Sequence, residues 1–170
     1  MSLGGRRVVE ILGGHHDRSG FSCGKEPLDH YLRQQAGQDV RRRLAAAFVV
    51  CAPGTAEVVA YHTLSALSIP VGEVSAEVRR RIPYPEVPGV LVGRLAVDQR
   101  HGRQGLGSFL LMDAAARCLS VEGPAVWAMV VDPIDEEAAA FSLHFGFVPF
   151  AERSDRLFLP LATFRTALRR

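Results

Sequence analysis

The sequence predicts a mixed α/β domain whose sheet is joined by both hairpin and crossover connections. The chain has 170 residues, which fits one compact domain over residues 1–170. Its hydrophobic share is 48% and its charged share 22%, near the values of soluble globular proteins and unlike those of disordered or fibrous chains. Along the chain, stretches with strand-like composition alternate with stretches of helical periodicity.

The first half predicts a strand, a helical segment and a hairpin. Residues 8–12 (VVEIL) have the composition of a short strand. From Pro27 to Leu44, apolar residues recur at three- and four-residue steps, and Gly37 is expected to divide this stretch into two helices. Residues 46–52 and 57–69 predict two strands, and the Pro-Gly-Thr turn between them predicts a hairpin.

The second half contains a strand, a glycine-rich turn and a helix in succession. Residues 74–89 predict a short helix followed by an irregular segment, because prolines and a glycine crowd its end. Residues 90–97 then predict a strand and residues 106–119 a helix. A strand (125–131), a helix (135–145) and two closing strands (147–150 and 155–161) are expected to follow.

Charge and cysteine content narrow the possible environments. The net charge is +2, so composition alone does not force binding to a polyanion. Lys25 is the only lysine, and the arginines include the triplets 41–43 and 79–81, which suit phosphate or form solvated helix faces. Cys23, Cys51 and Cys118 form no C-x-x-C pair, so we expect neither disulfides nor a zinc site. Such a cysteine content predicts a protein of the reducing cytoplasm.

Two further classes of site are not expected. His15 and His16 are adjacent but have no further ligand at metal-binding spacing, so they predict a surface loop rather than a metal site. No stretch approaches the roughly 20 apolar residues of a membrane helix, and the amino-terminal residues do not have the pattern of a signal peptide.

The glycine-rich turn is the motif that predicts a binding site. In DQRHGRQGLGS (98–108) the chain leaves a strand, passes Gly102, Gly105 and Gly107, and enters a helix. Such a turn presents backbone N–H groups at the positive end of a helix dipole, where a pyrophosphate binds. A dinucleotide fold and an acyl-CoA loop both fit this pattern. The dinucleotide motif is expected after the first strand, whereas this one lies past the midpoint of the chain.

The residues around the turn resemble a known superfamily. RLAVD (94–98), followed by GLG (105–107) and an apolar helix, resembles motif A of the GNAT acetyltransferases, and DEEAAAFSLHFGF (135–147) resembles their later helix and strand. Segments 21–39, 61–65, 82–98 and 156–161 resemble the TacT-like acetyltransferase toxins of type II toxin–antitoxin modules. The resemblance implies a GNAT fold, with a mixed, mostly antiparallel sheet that is splayed at the motif A strand and flanked by helices.

The resemblance also implies an activity, partners and a binding site. It implies an acetyl-CoA-dependent N-acetyltransferase without a metal, which acetylates the α-amino group of aminoacyl-tRNA and blocks translation. A ribbon-helix-helix antitoxin is the implied protein partner, and a homodimer is possible. The implied acetyl-CoA site comprises Leu95, Ala96 and Val97 at the acetyl end, and Arg103, Gln104, Gly105, Leu106, Gly107 and Ser108 at the pyrophosphate.

The chain departs from the superfamily pattern in two segments, the glycine-rich loop and the later helix. Gly102 stands where the Q/R-x-x-G-x-G/A loop has Gln or Arg, and Arg103 stands where a glycine is usual. Ser142 occupies the position of the tyrosine expected to protonate the departing CoA thiolate, so Ser142 is the candidate catalytic residue, through a water relay. Tyr61 and Tyr84 are alternative donors from elsewhere in the chain, whereas His144 is expected on another side of the Ser142 helix.

Arginines are the candidate contacts to the acceptor. An RNA backbone would be bound without sequence preference and in a salt-dependent way. The candidates are Arg33, Arg41–Arg43, Arg79, Arg80, Arg81 and Arg94, and the same side chains could instead hold an antitoxin or a second subunit. Two other functions stay open: N-acetylation of a small-molecule or protein amine, and a weakly active or inactive CoA-binding member that serves with an antitoxin as a repressor.

Overall fold

A computed structural model describes residues 6–120 and 122–163. Within these residues, seven strands form one sheet in the order β1-β2-β3-β4-β5-β7-β6. The strands are β1 (Glu10–Ile11), β2 (Ala46–Cys51), β3 (Val58–Pro70), β4 (Glu86–Val97), β5 (Ala128–Val131), β6 (Val148–Phe150) and β7 (Arg153–Pro160). Strands β4 and β5 pair in parallel, whereas β1/β2, β2/β3, β5/β7 and β6/β7 pair antiparallel. The predicted mixed, mostly antiparallel sheet is confirmed.

Within the part of the chain that the structure describes, five bounded α-helices connect or flank these strands. They are α1 (Glu26–His30), α2 (Ala36–Arg41), α3 (Ala76–Arg79), α4 (Leu106–Cys118) and α5 (Glu136–Phe145). Helix α5 begins where the Asp135 side chain accepts a hydrogen bond of 2.8 Å from the Ala138 N–H, and it ends at Gly146, whose φ of 122° disfavours other residues. No helix within the described residues is long and apolar enough to span a bilayer.

The chain groups into two compact units, and whether they act as the single expected domain stays a prediction. Unit 1 spans Met1–Leu64 and Arg94–Asp113. A buried cluster that includes Phe21, Leu32 and Tyr61 lies at its centre, and the Phe21 and Tyr61 rings meet edge to face at 5.5 Å. Unit 1 contains the glycine-rich turn and the helical segment before β2.

Unit 2 spans Ser65–Gly93 and Ala114–Arg170. Its core contains Ile69, Val130 and Phe158, all nearly fully buried. Gly89 is required here by close packing, because a Cβ at this position would lie 2.6 Å from the Ile69 Cδ1 atom. Helix α5 and its Ser142 belong to this unit.

The helical segment before β2 differs from the prediction of two helices divided at Gly37. Helix α1, a π-helical turn (Tyr31–Gln35) and α2 follow one another directly, and Gly37 lies inside α2. In the π-helical turn the Ala36 N–H donates to the Tyr31 carbonyl, five residues back. The Arg18 guanidinium donates to the Leu32 carbonyl, at 3.2 Å. The irregularity is therefore a π-bulge rather than a glycine break.

Three other local expectations were wrong. Strand β1 covers two residues instead of the five expected, and β4 begins at Glu86 inside the stretch expected to be irregular. Pro88 lies within β4, and its carbonyl accepts a hydrogen bond from the Trp127 N–H at 2.8 Å. His16 is buried rather than on a surface loop, because Gly13 and Glu10 satisfy both of its ring nitrogens.

Candidate active site: the loop before helix α4 and Ser142

The loop of residues 98–105 joins β4 to α4 in unit 1, in the strand–turn–helix arrangement that the sequence predicts. After a 3₁₀ turn (Gln99–His101), the chain passes through the left-handed region twice, at Arg103 (φ 61°) and Gly105 (φ 73°). A left-handed conformation is unusual for arginine and costs about 1–2 kcal/mol. Residues 102–105 are all exposed. The backbone of the loop is therefore fixed in a strained shape and open to solvent.

Asp98 anchors the start of this loop. Its carboxylate is 1% exposed and accepts hydrogen bonds from the Ser22 N–H (3.1 Å), the Arg100 N–H (2.9 Å) and the Arg100 guanidinium (3.0 and 3.1 Å). The Arg100 guanidinium also contacts the Glu57 carboxylate at 2.6 Å. The Asp98 N–H donates to the Val59 carbonyl at 2.8 Å. The loop is thus tied to the neighbouring strand β3 and to the segment before α1.

These contacts control the ionisation of Asp98. Burial by itself would raise the pKa of the Asp98 carboxyl, but the hydrogen bonds from the Arg100 side chain and from the backbone N–H groups of Arg100 and Ser22 outweigh burial and lower that pKa. The hydrogen bonds that the Arg100 guanidinium donates to Asp98 and to Glu57 raise the pKa of Arg100. Asp98 is therefore a carboxylate at neutral pH, and its charge holds the loop in place.

The amino-terminal end of α4 can hold an anion. The Phe109 N–H is the first to bond within this turn, to the Gly105 carbonyl at 3.0 Å. The N–H groups of Leu106, Gly107 and Ser108 precede that bond and have no acceptor within the helix. Leu106 is buried in an apolar cluster with Leu110, which fixes the direction of the helix. In the pyrophosphate-binding segment predicted from the sequence, residues 103–105 and Ser108 are exposed, whereas Leu106 packs inward.

The expected acetyl-binding residues lie at the end of β4. All four residues of β5 pair with Gly89 to Val92, so Leu95–Val97 lie beyond that register. Ala96 is buried in the cluster around Phe21, whereas Leu95 and Val97 pack against the cluster around Leu106. The sequence-based prediction places an oxyanion site, formed by a backbone N–H group, in this part of β4.

Ser142 lies in unit 2 on helix α5 and is 6% exposed. Its hydroxyl donates to the Ala138 carbonyl one turn earlier, at 3.0 Å. Such a bond is common for serine in helices and occupies the only hydroxyl proton. To protonate a leaving group, Ser142 would first have to break this bond.

The alternative proton donors are differently placed. Tyr61 is fully buried in unit 1, its hydroxyl donates to the Leu28 carbonyl at 2.7 Å, and burial raises the pKa of its phenol. Tyr84, in unit 2, is 67% exposed, and His144 is exposed on α5. Tyr61 is therefore a packing residue, and its proton is already committed to the backbone.

Two of the candidate acceptor-binding arginines have partners inside unit 1. The Arg33 guanidinium donates to the Phe21 carbonyl at 2.7 Å and contacts Glu26 at 3.5 Å. The Arg94 guanidinium carbon lies 3.5 Å from the centre of the Tyr31 ring, in a cation–π arrangement. Arg33 thus supports the segment before α1, whereas stacking of Arg94 leaves the edge of its guanidinium for a further acceptor.

The two arginine triplets are exposed. Arg79–Arg81 lie at the end of α3 in unit 2, where Arg81 and Glu77 approach only to 4.0 Å with both side chains more than 80% exposed. So exposed a pair adds little to stability. Arg41 ends α2 in unit 1, Arg42 and Arg43 follow it, and Arg43 has a positive φ of 59°. Both triplets present charge to solvent, as expected for contacts to RNA or to a protein.

One group of side chains within the described residues has metal-ligand spacing: Glu10, His15 and His16. The Gly13 N–H donates to the His16 Nδ1 atom at 2.9 Å, so the ring proton is on Nε2 and is donated to Glu10, also at 2.9 Å. The hydrogen bond from His16 lowers the pKa of Glu10. A metal at Nε2 would have to displace that proton, so these residues fit a hydrogen-bonded cluster rather than a metal site.

Sequence reasoning missed two residues at the loop. Asp98 lies within the glycine-rich motif but was assigned no role. The signal that could have assigned one is Arg100, because an arginine two residues later can pair with the Asp98 carboxylate. The Arg7 guanidinium donates to the Gln104 carbonyl, across 97 positions of sequence. No local pattern could have indicated that contact.

Comparison with known proteins identifies the family. No family model matches the sequence. A curated tRNA-acetylating toxin from Mycobacterium tuberculosis (strain ATCC 25618 / H37Rv) is 38% identical over 132 residues, which are 77% of this chain and 78% of the relative. The chain belongs to the family of tRNA-acetylating toxins. A second relative of this toxin family, the probable toxin TacT from Sinorhizobium fredii (strain NBRC 101917 / NGR234), is 25% identical over 173 residues, 96% of each chain.

Solved structures agree with membership of the tRNA-acetylating toxin family. A tyrosine-to-phenylalanine mutant of KacT has a TM-score of 0.85 and 26% identity, covering 95% of this chain and 98% of its own. AtaT complexed with acetyl-methionyl-tRNAfMet has a TM-score of 0.84 and 27% identity, with 95% and 99% covered. A mutant AtaT bound to the carboxyl terminus of the antitoxin AtaR and to acetyl-CoA has a TM-score of 0.78 and 25% identity, with 96% and 99% covered. The predicted TacT-like acetyltransferase fold is confirmed.

Proposed function

We propose that this chain is a toxin that transfers an acetyl group from acetyl-CoA to the α-amino group of aminoacyl-tRNA and thereby blocks translation. The observation that carries the proposal is the exposed, strained loop of residues 98–105 at the amino terminus of α4. It has the form of an acyl-CoA phosphate site, and it occurs in a chain of the tRNA-acetylating toxin family. AtaT with acetyl-CoA and AtaT with an acetylated aminoacyl-tRNA support the donor and the acceptor class.

The loop and the end of β4 would share the binding of acetyl-CoA. The backbone N–H groups over Arg103–Ser108 would bind the pyrophosphate, where the dipole of α4 and the Arg103 side chain favour negative charge. Leu95–Val97 would lie along the pantetheine and the thioester, where β4 has passed the end of its register with β5.

The transfer is a substitution at the thioester carbonyl. The amine lone pair forms the new C–N bond, the carbonyl oxygen becomes an oxyanion, and the C–S bond then breaks to release the CoA thiolate. The amine nitrogen loses a proton to solvent, and the thiolate takes one up. A backbone N–H group within Leu95–Val97 would stabilise the oxyanion, which requires no particular side chain.

Ser142 stays the predicted catalytic residue, and we expect its share of the rate to be small. Its proton is donated to the Ala138 carbonyl, so it is less available than that of a free hydroxyl. General acid catalysis typically contributes about 10² to 10⁴ in rate. A thiol with a reference pKa of about 8.5 is nevertheless a fair leaving group without assistance. The enzyme would therefore be slower than one with tyrosine at this position, but active.

The acceptor and a protein partner would compete for the exposed arginines. Arg79–Arg81 and Arg41–Arg43 would contact the RNA backbone, with the Arg94 edge as a further contact. An antitoxin would hold the toxin in check, as AtaR is bound to AtaT. We further propose that the antitoxin is of the ribbon-helix-helix type, that the toxin forms a homodimer, and that it acts in the cytoplasm.

The test is transfer of labelled acetyl from acetyl-CoA to a pool of charged tRNAs. Uncharged tRNA, small amines and peptides with a free amino terminus serve as competing acceptors. Label on charged tRNA that is lost after deacylation of the tRNA is the expected result. Label on small amines or peptides alone would indicate the other acetyltransferase function. No transfer, with CoA binding retained, would indicate an inactive member that acts with an antitoxin.

A further inference from the structure

Arg7 is a cation at the phosphate-binding loop that no motif identifies. Its Nη2 atom donates to the Gln104 carbonyl, and a Cβ atom built on Gly105 would lie 3.9 Å from its Nη1 atom. The side chain is exposed, and among the residues that the structure describes no carboxylate pairs with it. The positive charge of Arg7 is therefore held beside the loop without being neutralised.

The position of the guanidinium keeps the loop amides accessible. In a trans peptide the C=O and N–H groups point in opposite directions. Because Arg7 contacts the Gln104 carbonyl, the N–H of Gly105 in the same peptide points away from the guanidinium. Arg7 thus lies on the carbonyl side of this peptide, where it adds charge without competing for the Gly105 N–H group.

The loop lacks the polar side chain that its pattern expects at position 102, although the neighbouring Arg103 is a cation. Residue 102 is Gln or Arg in the pattern that this loop resembles, and here it is Gly102. Arg7 brings a guanidinium to the same loop from a distant part of the sequence. Only one of its five N–H groups is needed for the Gln104 carbonyl.

We propose that Arg7 is a binding residue for the phosphate groups of acetyl-CoA and that its charge replaces the side chain missing at position 102. This rests on the part of the proposed function that assigns acetyl-CoA to the loop, and it is independent of the acceptor. A charge within several ångströms of a phosphate at a partly exposed site is worth at least about 1 kcal/mol, or roughly fivefold in affinity.

Two substitutions separate charge from hydrogen bonding. Arg7→Gln retains an N–H donor for the Gln104 carbonyl but removes the charge, whereas Arg7→Lys retains the charge. Arg6→Gln is the matched control, since Arg6 is the adjacent exposed arginine and the structure records no contact between it and the loop. Dissociation constants for CoA and pantetheine are measured by calorimetry at about 0.1 M and 1 M salt.

We expect Arg7→Gln to weaken CoA binding about fivefold or more at low salt, and Arg7→Lys and Arg6→Gln to stay within about twofold of the wild type. The loss should shrink at 1 M salt, where the screening length falls from about 10 Å to about 3 Å. Pantetheine, which has no phosphate, should bind all four proteins equally. Dephospho-CoA, which lacks the 3′-phosphate, then assigns the contact. If Arg7→Gln weakens the binding of dephospho-CoA as much as that of CoA, Arg7 contacts the pyrophosphate. If Arg7→Gln no longer weakens binding, Arg7 contacts the 3′-phosphate.

A second change tests the replacement directly. Gly102 has φ −64° and ψ 160°, and a Cβ there would meet only the Gln99 carbonyl, at 3.5 Å, so arginine fits. Gly102→Arg should restore CoA binding to the Arg7→Gln protein, and failure to do so would overturn the replacement. Equal CoA binding by the wild type and Arg7→Gln, or an equal loss with pantetheine, would overturn the role of Arg7. Wild-type protein that does not bind CoA would overturn the proposed function as well.

Discussion

Replacing Asp98 with asparagine should destabilise the protein far more than the same change at an exposed aspartate. The Asp98 carboxylate is 1% exposed and accepts four hydrogen bonds, from Ser22 and Arg100. In Asp98→Asn one oxygen becomes an NH₂ group that faces donors, and the Arg100 guanidinium loses its buried anion. Hydrogen bonds to charged groups are worth about 1.5–3 kcal/mol, so we expect a loss of about 2–4 kcal/mol in unfolding free energy.

Asp155→Asn is the matched control. Asp155 also accepts two hydrogen bonds from an arginine, Arg153, each at 3.1 Å, but its side chain is 72% exposed. We expect this variant to lose much less stability than Asp98→Asn, because solvent screens an ion pair this exposed. Urea unfolding followed by circular dichroism measures both variants, and unchanged slopes would show that the unfolded states are comparable. Equal losses at Asp98 and Asp155 would refute the anchoring role of Asp98.

The effect of Asp98 should also depend on pH in a defined direction. Its hydrogen bonds lower the pKa of the folded-state carboxyl below its ordinary value. A lowered pKa contributes stability that is fully present above the unfolded-state pKa, about 3.9, and is lost as pH falls through the folded-state pKa. The stability difference between the wild type and Asp98→Asn should therefore be constant near neutral pH and shrink below about pH 4. A difference that grows on acidification would contradict this assignment.

Three further changes test the rest of the site. Ser142→Ala should slow acetyl transfer less than about tenfold, because the hydroxyl proton is already donated to the Ala138 carbonyl. Ser142→Tyr should increase the rate of transfer. A larger loss in Ser142→Ala would show that Ser142 has a full catalytic role. Replacing Arg79–Arg81 together by alanine should lower the slope of log affinity for charged tRNA against log salt by about 2, and an unchanged slope would exclude RNA contacts there. Arg103→Gly should raise the melting temperature by roughly 2–4 °C, because glycine relieves about 1 kcal/mol of backbone strain at φ 61°. The same change should weaken CoA binding. A lower melting temperature would contradict the strain at Arg103.

The elements that depend on local pattern were predictable. Strands β2 and β3 have long apolar runs separated by a Pro-Gly turn, and the predicted hairpin is confirmed. The glycine-rich turn between β4 and α4 was identified because glycine spacing and helical periodicity meet there. Helix α5 ends at Gly146 as expected, where the backbone adopts a positive φ. In each case the signal and the structure involve the same few residues.

The elements that depend on distant contacts were not predictable. The π-helical turn at residues 31–35 leaves the Leu32 carbonyl to accept from Arg18, a residue fourteen positions earlier. Pro88 lies in β4, where its carbonyl accepts from the N–H of Trp127, a residue distant in sequence. The burial of His16 depends on two hydrogen bonds that only the folded loop provides. Propensity and spacing describe a residue's neighbours in sequence, and these positions are decided by neighbours in space.

The two departures from the superfamily pattern, at Gly102 and at Ser142, should differ in their consequences, because a binding charge and a proton donor have different geometric requirements. A missing charge in a binding loop can be replaced from anywhere in the sequence, since electrostatic attraction requires proximity rather than an exact angle, and Arg7 provides that proximity. A missing proton donor is harder to replace, because proton transfer requires a hydroxyl within hydrogen-bond distance and with its proton available. Tyr61 does not meet the second condition, since its hydroxyl is buried and bound to the Leu28 carbonyl. Glycine at position 102 should therefore lower the affinity for CoA only slightly, whereas serine at position 142 should lower the rate of acetyl transfer.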